Sequence, residues 1–502
     1  MVHRAGRSAI GATRGSAAVT AIREDTTIPP VVWRMAWVIA FGAFAGGLDA
    51  SVTNIGLDSI GADLHANLAT TQWVSSGYLL ALAVSLPACA WLGRRIGVGR
   101  LWLCALAGFT IASALCALAP NIESLVALRV VQGLAAGLLV PAGQTILGQA
   151  VGPERLGRLM ATLGIAVSLA PALGPVAGGV ILHWSSWHWL FLVNVPIGIA
   201  ELALGMRLIP RGAARPTERL EWRGLILIGV GLPLLVFALT SWGSAGTPLD
   251  AEVWISLTLG VAGLAAFTAR SLRQHNPLLD MRLYSNRVYV AASATAGFSG
   301  ALMFGSALLF PLYFQLLHGS SVISTGLQLL SLGGGTALAL PLCGRLIDRF
   351  GGGTIATLGG IATVATTLPF VLLDANSDPI LVQILLVLLG IAIACAAVPP
   401  GIEAFKTVQP DQLPDATAQV SIVQRIGGAV GGALFAVVLA RGLSTDAESA
   451  FRSAFTWQLI AAAATTVSAA WLWFSCISSP SKSTARPSAI RKDQSSSAFP
   501  RA

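Results

Sequence analysis

Fourteen apolar segments, each about twenty residues long, run along this chain, and Lys and Arg fall almost wholly in alternate loops between them. The segments lie near 33–56, 72–92, 101–119, 125–149, 158–182, 189–209, 224–243, 253–270, 288–312, 323–344, 354–373, 380–402, 417–440 and 452–475. A hydrocarbon interior offers no water to a free peptide group, so such segments can only be helices closed on their own hydrogen bonds. The fold class is therefore an all-α polytopic membrane protein with fourteen spans. The Lys/Arg bias orients it. Six of the seven loops on one side contain neither residue, the exception carrying Arg441. The other side holds Arg94, Arg95, Arg100, Arg155, Arg158, Arg211, Arg215, Arg219, Arg273, Arg282, Arg345 and Arg349. Both termini are expected on the cytoplasmic side of the cell (inner) membrane.

Composition removes most other classes. Charged residues are 11% of the chain and hydrophobic ones 55%, against roughly 25% charged in a soluble domain. The net charge of +9 sits in short loops, where it sets topology and meets lipid head groups. No nucleic-acid partner is expected. The six cysteines lie in apolar segments without a CxxC pair, and the six histidines are scattered, so no metal site is expected. There is no phosphate-binding loop and no hydrolytic constellation. The chain is not expected to be an enzyme or to carry a cofactor, and ATP is not expected to be its energy source.

An internal repeat organises the chain. Ala90-Trp91-Leu92-Gly93-Arg94-Arg95-Ile96-Gly97 follows span 2, and Gly344-Arg345-Leu346-Ile347-Asp348-Arg349-Phe350-Gly351 follows span 10. Glycines crowd both span 5 and span 13. These offsets describe a six-helix bundle over 33–209, two extra helices with flanking loops over 210–287, and a second six-helix bundle over 288–475. Residues 1–32 and 476–502 read as disordered cytoplasmic tails. Duplicated halves are a mark of secondary transporters.

Span 5 presents Ala166, Ala170, Gly174 and Gly178 at four-residue spacing, beside Val167, Pro171, Pro175 and Gly179. Span 13 presents Gly427, Gly428, Gly431 and Gly432. Small residues so spaced let membrane helices approach closely. Tight static packing and a sliding seam between halves both fit, and the recurrence in both halves favours the seam. Asp348 and Arg349, ahead of three glycines, are expected to latch one helix end to another. Charges inside spans are costly and point to function. Asp49, Arg129 and Glu201 qualify. Glu403 and Arg425 are placed near inner span ends, where snorkelling suffices.

On these residues the chain resembles the major facilitator superfamily, and within it the fourteen-span drug:proton antiporters of the QacA/EmrB type. Leu48-Asp49-Ala50-Ser51-Val52-Thr53-Asn54 is similar to that group's span-1 motif, and Leu128-Arg129-Val130-Val131-Gln132-Gly133 to its span-4 motif. Pro171-Ala172-Leu173-Gly174-Pro175-Val176-Ala177-Gly178-Gly179 resembles the span-5 antiporter motif. The start of span 6, Trp187 to Gly198, and Pro311-Leu312-Tyr313-Phe314-Gln315 also fit. The resemblance implies the major facilitator fold and proton-coupled export of drugs or other amphipathic small molecules by alternating access. It implies proton coupling through Asp49 and Arg129, to which this chain adds Glu201. Gating falls to Pro171, Gly174, Pro175, Gly178, Gly179, Asp348, Arg349, Gly427 and Gly431. Asn54, Gln132 and Gln315 are expected to line the substrate cavity. In a Gram-negative bacterium a periplasmic adaptor and outer-membrane channel would join the bilayer, protons and small-molecule substrates as partners.

Three of the motifs depart from the pattern. Arg94 stands where an acid is usual and Ala90 where Gly is, Gly56-Leu57-Asp58 replaces Ala-Leu-Pro, and His188 replaces Arg. The first predicts a weak latch in the N-terminal half, with Asp348-Arg349 dominant. A narrow-specificity exporter of one metabolite or peptide, and a non-transporting membrane sensor, are the alternative functions.

Overall fold

The computed structural model describes residues 28–151, 155–214, 221–245, 251–274, 277–372, 377–443 and 446–478. Of the expected tails, residues 1–27 and 479–502 lie outside the described residues, as do Arg215 and Arg219. Fourteen long helices follow one another: α1 (Pro30–Asp63), α2 (Leu68–Ile96), α3 (Val98–Cys116), α4 (Ile122–Val151), α5 (Leu156–Trp184), α6 (His188–Leu208), α7 (Trp222–Ala245), α8 (Ala251–Arg273), α9 (Arg287–Leu312), α10 (Val322–Phe350), α11 (Gly352–Leu372), α12 (Pro379–Lys406), α13 (Leu413–Leu443) and α14 (Ala447–Ser478). Thirteen are long and apolar enough to cross a membrane, and α5, at 29 residues, is the fourteenth. A single turn at Val193 divides α6.

Local chemistry places the helix ends. Asn67, Asn286, Ser321 and Asp378 cap α2, α9, α10 and α12, each side chain accepting from a backbone N–H of the first turn. Gly97 and Gly351, matching positions of the sequence repeat, end α2 and α10 at φ +91° and +83°. L side chains disfavour that region, so the sharp turns into α3 and α11 require glycine. Large apolar side chains such as Leu118, Leu338 and Val467 are exposed, as expected where lipid replaces water.

The two halves repeat one packing scheme. In the first, α1 packs on α5 and α6, α2 on α4, and α3 on α4 and α6. In the second, α9 packs on α13 and α14, α10 on α12, and α11 on α12 and α14. Between the halves α5 meets α10 and α2 meets α13. Helix α7 lies against α2 and α13, and α8 packs on α7.

The cores are arranged unequally. At the Arg-rich helix ends one apolar core crosses the halves, joining Leu156, Leu159 and Met160 of α5 to Cys343 and Ile347 of α10, and Leu147 of α4 to Leu413 and Ala416 of α13. Toward the other end there are two separate cores. One belongs to the first half, around Leu48, Val52, Leu125 and Phe191. The other belongs to the second half, around Phe310, Tyr313, Phe370 and Phe455. The halves are sealed together at the Arg-rich end and part toward the other.

Candidate functional site

Asp49 lies on α1 about 28 Å from Pro30, at ~1.5 Å per residue, and is buried. Its Oδ2 accepts from Arg129 Nη1 of α4 at 2.5 Å, with both side chains 0% exposed. Its Oδ1 accepts from Gln132 Nε2 at 2.9 Å and from Asn194 Nδ2 of α6 at 2.7 Å. The guanidinium is itself held: Nε donates to Val74 O at 3.0 Å, Nη1 also donates to Gln132 Oε1 at 2.7 Å, and Cζ sits 4.1 Å from the Tyr78 ring centroid. Asn194 Nδ2 also reaches Ser113 Oγ, which donates to Phe191 O. Five helices, α1, α2, α3, α4 and α6, thus build the surroundings of one buried ion pair whose carboxylate meets only side-chain donors. Taking one partner from a buried pair leaves a charge uncompensated, at a cost of about 3–5 kcal/mol. A proton on Asp49 would cancel its charge and with it the attraction that holds Arg129.

Asp49 and Arg129 therefore meet, and Gln132 joins them. Gln132 is fully buried in this network, which corrects its expected place on an open cavity wall. Asn54 is exposed on α1 and accepts from Ser75 Oγ of α2 at 2.5 Å. Gln315 lies in the last turn following α9, in a π-helical stretch over Tyr313–Leu317 that packs against α10 and α14 of the second half. Glu201 stands two turns along α6 from Asn194, near Gly42 of α1 and the Trp102 ring. Both its carboxylate oxygens are buried without a hydrogen-bond partner among the described residues. Sequence reasoning missed Tyr78, Ser113 and the role of Asn194. The visible signal was a polar residue inside an apolar helix, seven residues before Glu201.

The small residues do not form the expected seam between halves. A Cβ on Gly174 would meet Ser51 of α1, and one on Gly178 would lie 3.3 Å from Ile55 of α1. Gly431 would meet Ala301 of α9 at 2.7 Å, and Gly427 would meet the Gly297 backbone of α9. These glycines seat α1 on α5 and α9 on α13, inside each half. The contact between halves uses Gly157, Ala161 and Gly164 of α5 against Leu340 and Gly344 of α10. Gly179 is half-buried, and the side chains of Pro171 and Pro175 lie outside the described residues.

Among the described residues, two ion pairs join the halves at the Arg-rich end. Asp348 of α10 accepts from Arg158 Nε of α5 at 2.9 Å. Arg349, expected to share the latch, lies over the Phe350 ring. Arg94 of α2, expected to be latch-deficient, instead grips both oxygens of Asp415 on α13 at 2.9 and 2.8 Å. Arg94 Nη2 also donates to Leu278 O at 3.3 Å, and Leu278 N donates to Glu221 at 3.0 Å. Arg270 of α8 donates to the same Glu221 at 2.6 Å. The linker after α8 is thereby tied to the latch. Thr145 of α4 bonds Thr417 of α13 at 2.9 Å beside it. Glu403 is not a snorkelling residue: it is buried and accepts from Gly352 N at 2.7 Å and Lys406 Nζ at 2.9 Å. Arg425 is not at a span end either, since α13 begins at Leu413 and carries it about 18 Å inward at ~1.5 Å per residue.

The architecture has known counterparts. The human organic anion transporter MFSD10 superposes with a TM-score of 0.62 at 16% identity, over 89% of this chain and 100% of that one. The proton:xylose symporter XylE superposes with a TM-score of 0.61 at 13% identity, over 88% and 95%. Identities this low speak for the fold alone. In sequence, a Mycobacterium tuberculosis protein named "Multidrug resistance protein B homolog" is 36% identical over 410 residues, which is 81% of this chain and 76% of that protein. The "Tetracenomycin C resistance and export protein" of Streptomyces glaucescens is 30% identical over 414 residues, again 81% and 76%. The profile of the Major Facilitator Superfamily matches residues 39–432 and 293–499. With two pseudo-equivalent six-helix halves, an extra helix pair and these sequence matches, the chain belongs to the Major Facilitator Superfamily.

Proposed function

We propose that this chain exports drugs or other amphipathic small molecules in exchange for protons. The observation that carries the reading is the Asp49–Arg129 pair, a carboxylate buried in the membrane-spanning bundle beside a permanent cation. Such a carboxylate can take and release a proton as the halves rock. The relatives named for multidrug resistance and for tetracenomycin C resistance and export support efflux over uptake. The Arg-rich end is assigned to the cytoplasm, with the protein in the cell membrane and both termini inside. The sealed Arg-rich end then corresponds to an outward-facing state. Glu201 is assigned as a second proton site, about 10 Å nearer the cytoplasm than Asn194 at ~1.5 Å per residue.

The test uses proteoliposomes with an imposed pH gradient. Ethidium and phenylnaphthylamine are the transported probes, and a trapped pH dye reports protons. Wild-type protein is expected to move probe and proton in opposite directions. Asp49→Asn is expected to insert and fold but to lose both signals. Probe movement independent of the gradient would remove proton exchange from the assignment.

A further inference from the structure

Among the described residues no carboxylate pairs with Arg425. It lies in the middle of α13, half-buried, and makes no hydrogen bond or ion pair with a described residue. Across from it is Tyr78 of α2, whose hydroxyl donates to Gly46 O at 2.9 Å and lies within electrostatic reach of Arg425. Arg129 lies over the Tyr78 ring, and Asp49 is also within electrostatic reach of Tyr78. Arg425 therefore faces the first half across the line where the halves meet, opposite the Asp49 network.

The surface beside it is amphipathic. Gly428, one turn on, would place a Cβ 2.5 Å from the ring of Phe304 on α9, and that ring is 39% exposed. Gly432, two turns on from Arg425, has nothing within 4 Å of its Cβ position. It lies on the same face of α13 as Arg425 and nearer the end where the halves part. A strip of open glycine and exposed aromatic ring thus ends at a guanidinium that lacks an anion. An uncompensated cation at this depth is costly, and a planar guanidinium is suited to a carboxylate or sulfonate.

We propose that Arg425 is an anion subsite of the transport cleft, taking the carboxylate, sulfonate or phosphate of an amphipathic substrate whose apolar part lies along Phe304 and Gly432. The substrate class thereby extends to organic anions. This rests on the export reading, but its test does not depend on transport. Anilinonaphthalene sulfonate and phenylnaphthylamine share one aromatic frame and differ by the sulfonate. Each is titrated by fluorescence into the full-length protein in detergent, with protein-free micelles subtracted. Arg425→Gln is expected to weaken sulfonate binding about tenfold, the scale of one charge-assisted hydrogen bond, and to leave phenylnaphthylamine unchanged. Arg425→Lys is expected to keep most of the sulfonate affinity, because it keeps the charge. Equal sulfonate binding by wild type and Arg425→Gln would overturn the subsite. So would parallel loss of both probes with both variants. A sulfonate effect in a protein that moves neither probe in vesicles would leave the subsite standing and remove the export reading.

Discussion

Arg94 and Asp415 form the mirror image, with signs exchanged, of Asp348 and Arg158. Each pair joins the end of α2 or α10 to the third residue of α13 or α5. The duplicated halves have kept the geometry of both latches and reversed the polarity of one. Arg94 is therefore not a missing acid but one end of an intact ion pair.

Exchange of charge tests this directly. Arg94→Asp alone faces Asp415 with a second carboxylate and is expected to cut ethidium efflux tenfold or more, given about 3–5 kcal/mol for breaking a buried pair. Arg94→Asp combined with Asp415→Arg is expected to recover most of it. Efflux by single and double variants in an efflux-deficient host is the measurement. No recovery in a well-expressed double variant would mean that polarity matters beyond pairing.

The two latches should differ in strength. Arg94 and Asp415 side chains are 14% and 8% exposed, against 33% and 14% for Arg158 and Asp348. Water screens the second pair more. Asp415→Asn is expected to open the Arg-rich end more than Asp348→Asn, read as faster thiol labelling of a cysteine placed at Ala161. The reverse order would count against burial as the deciding factor.

Arg129 should resist replacement by Lys. Its guanidinium bonds Val74 O, Gln132 and Asp49 while lying over Tyr78. An ammonium on a flexible stem cannot hold all four at once. Arg129→Lys is expected to insert normally and to lose at least nine-tenths of proton-coupled efflux. Near wild-type coupling would show that charge alone suffices there.

Glycine substitutions should separate packing from space. Gly431→Leu would drive a side chain into Ala301 of α9, and overpacking of this kind costs about 1–3 kcal/mol or more. Its folded yield by size-exclusion chromatography is expected to fall sharply. Gly432→Ala, with open space around it, is expected to match wild type. Equal yields would overturn the assignment of Gly431 to the α9 contact.

Much of this was legible in the chain itself. Span number and alternation follow from hydropathy and from where Arg falls, because the bilayer acts on each segment locally. The repeat fixed the equivalence of Gly97 with Gly351, since both turns need the same backbone. Asp49 and Arg129 stood out because a charge within an apolar span is costly wherever its partner lies. The partners themselves needed the tertiary structure. Nothing local says that Arg94 meets a residue 321 positions away, or that Gln132 and Asn194 turn toward Asp49. Nor does spacing say which neighbour a glycine face packs against: Gly174 and Gly431 seat helices within their own halves. Periodicity defines a face, while the helix that covers it is chosen by the packing of all fourteen.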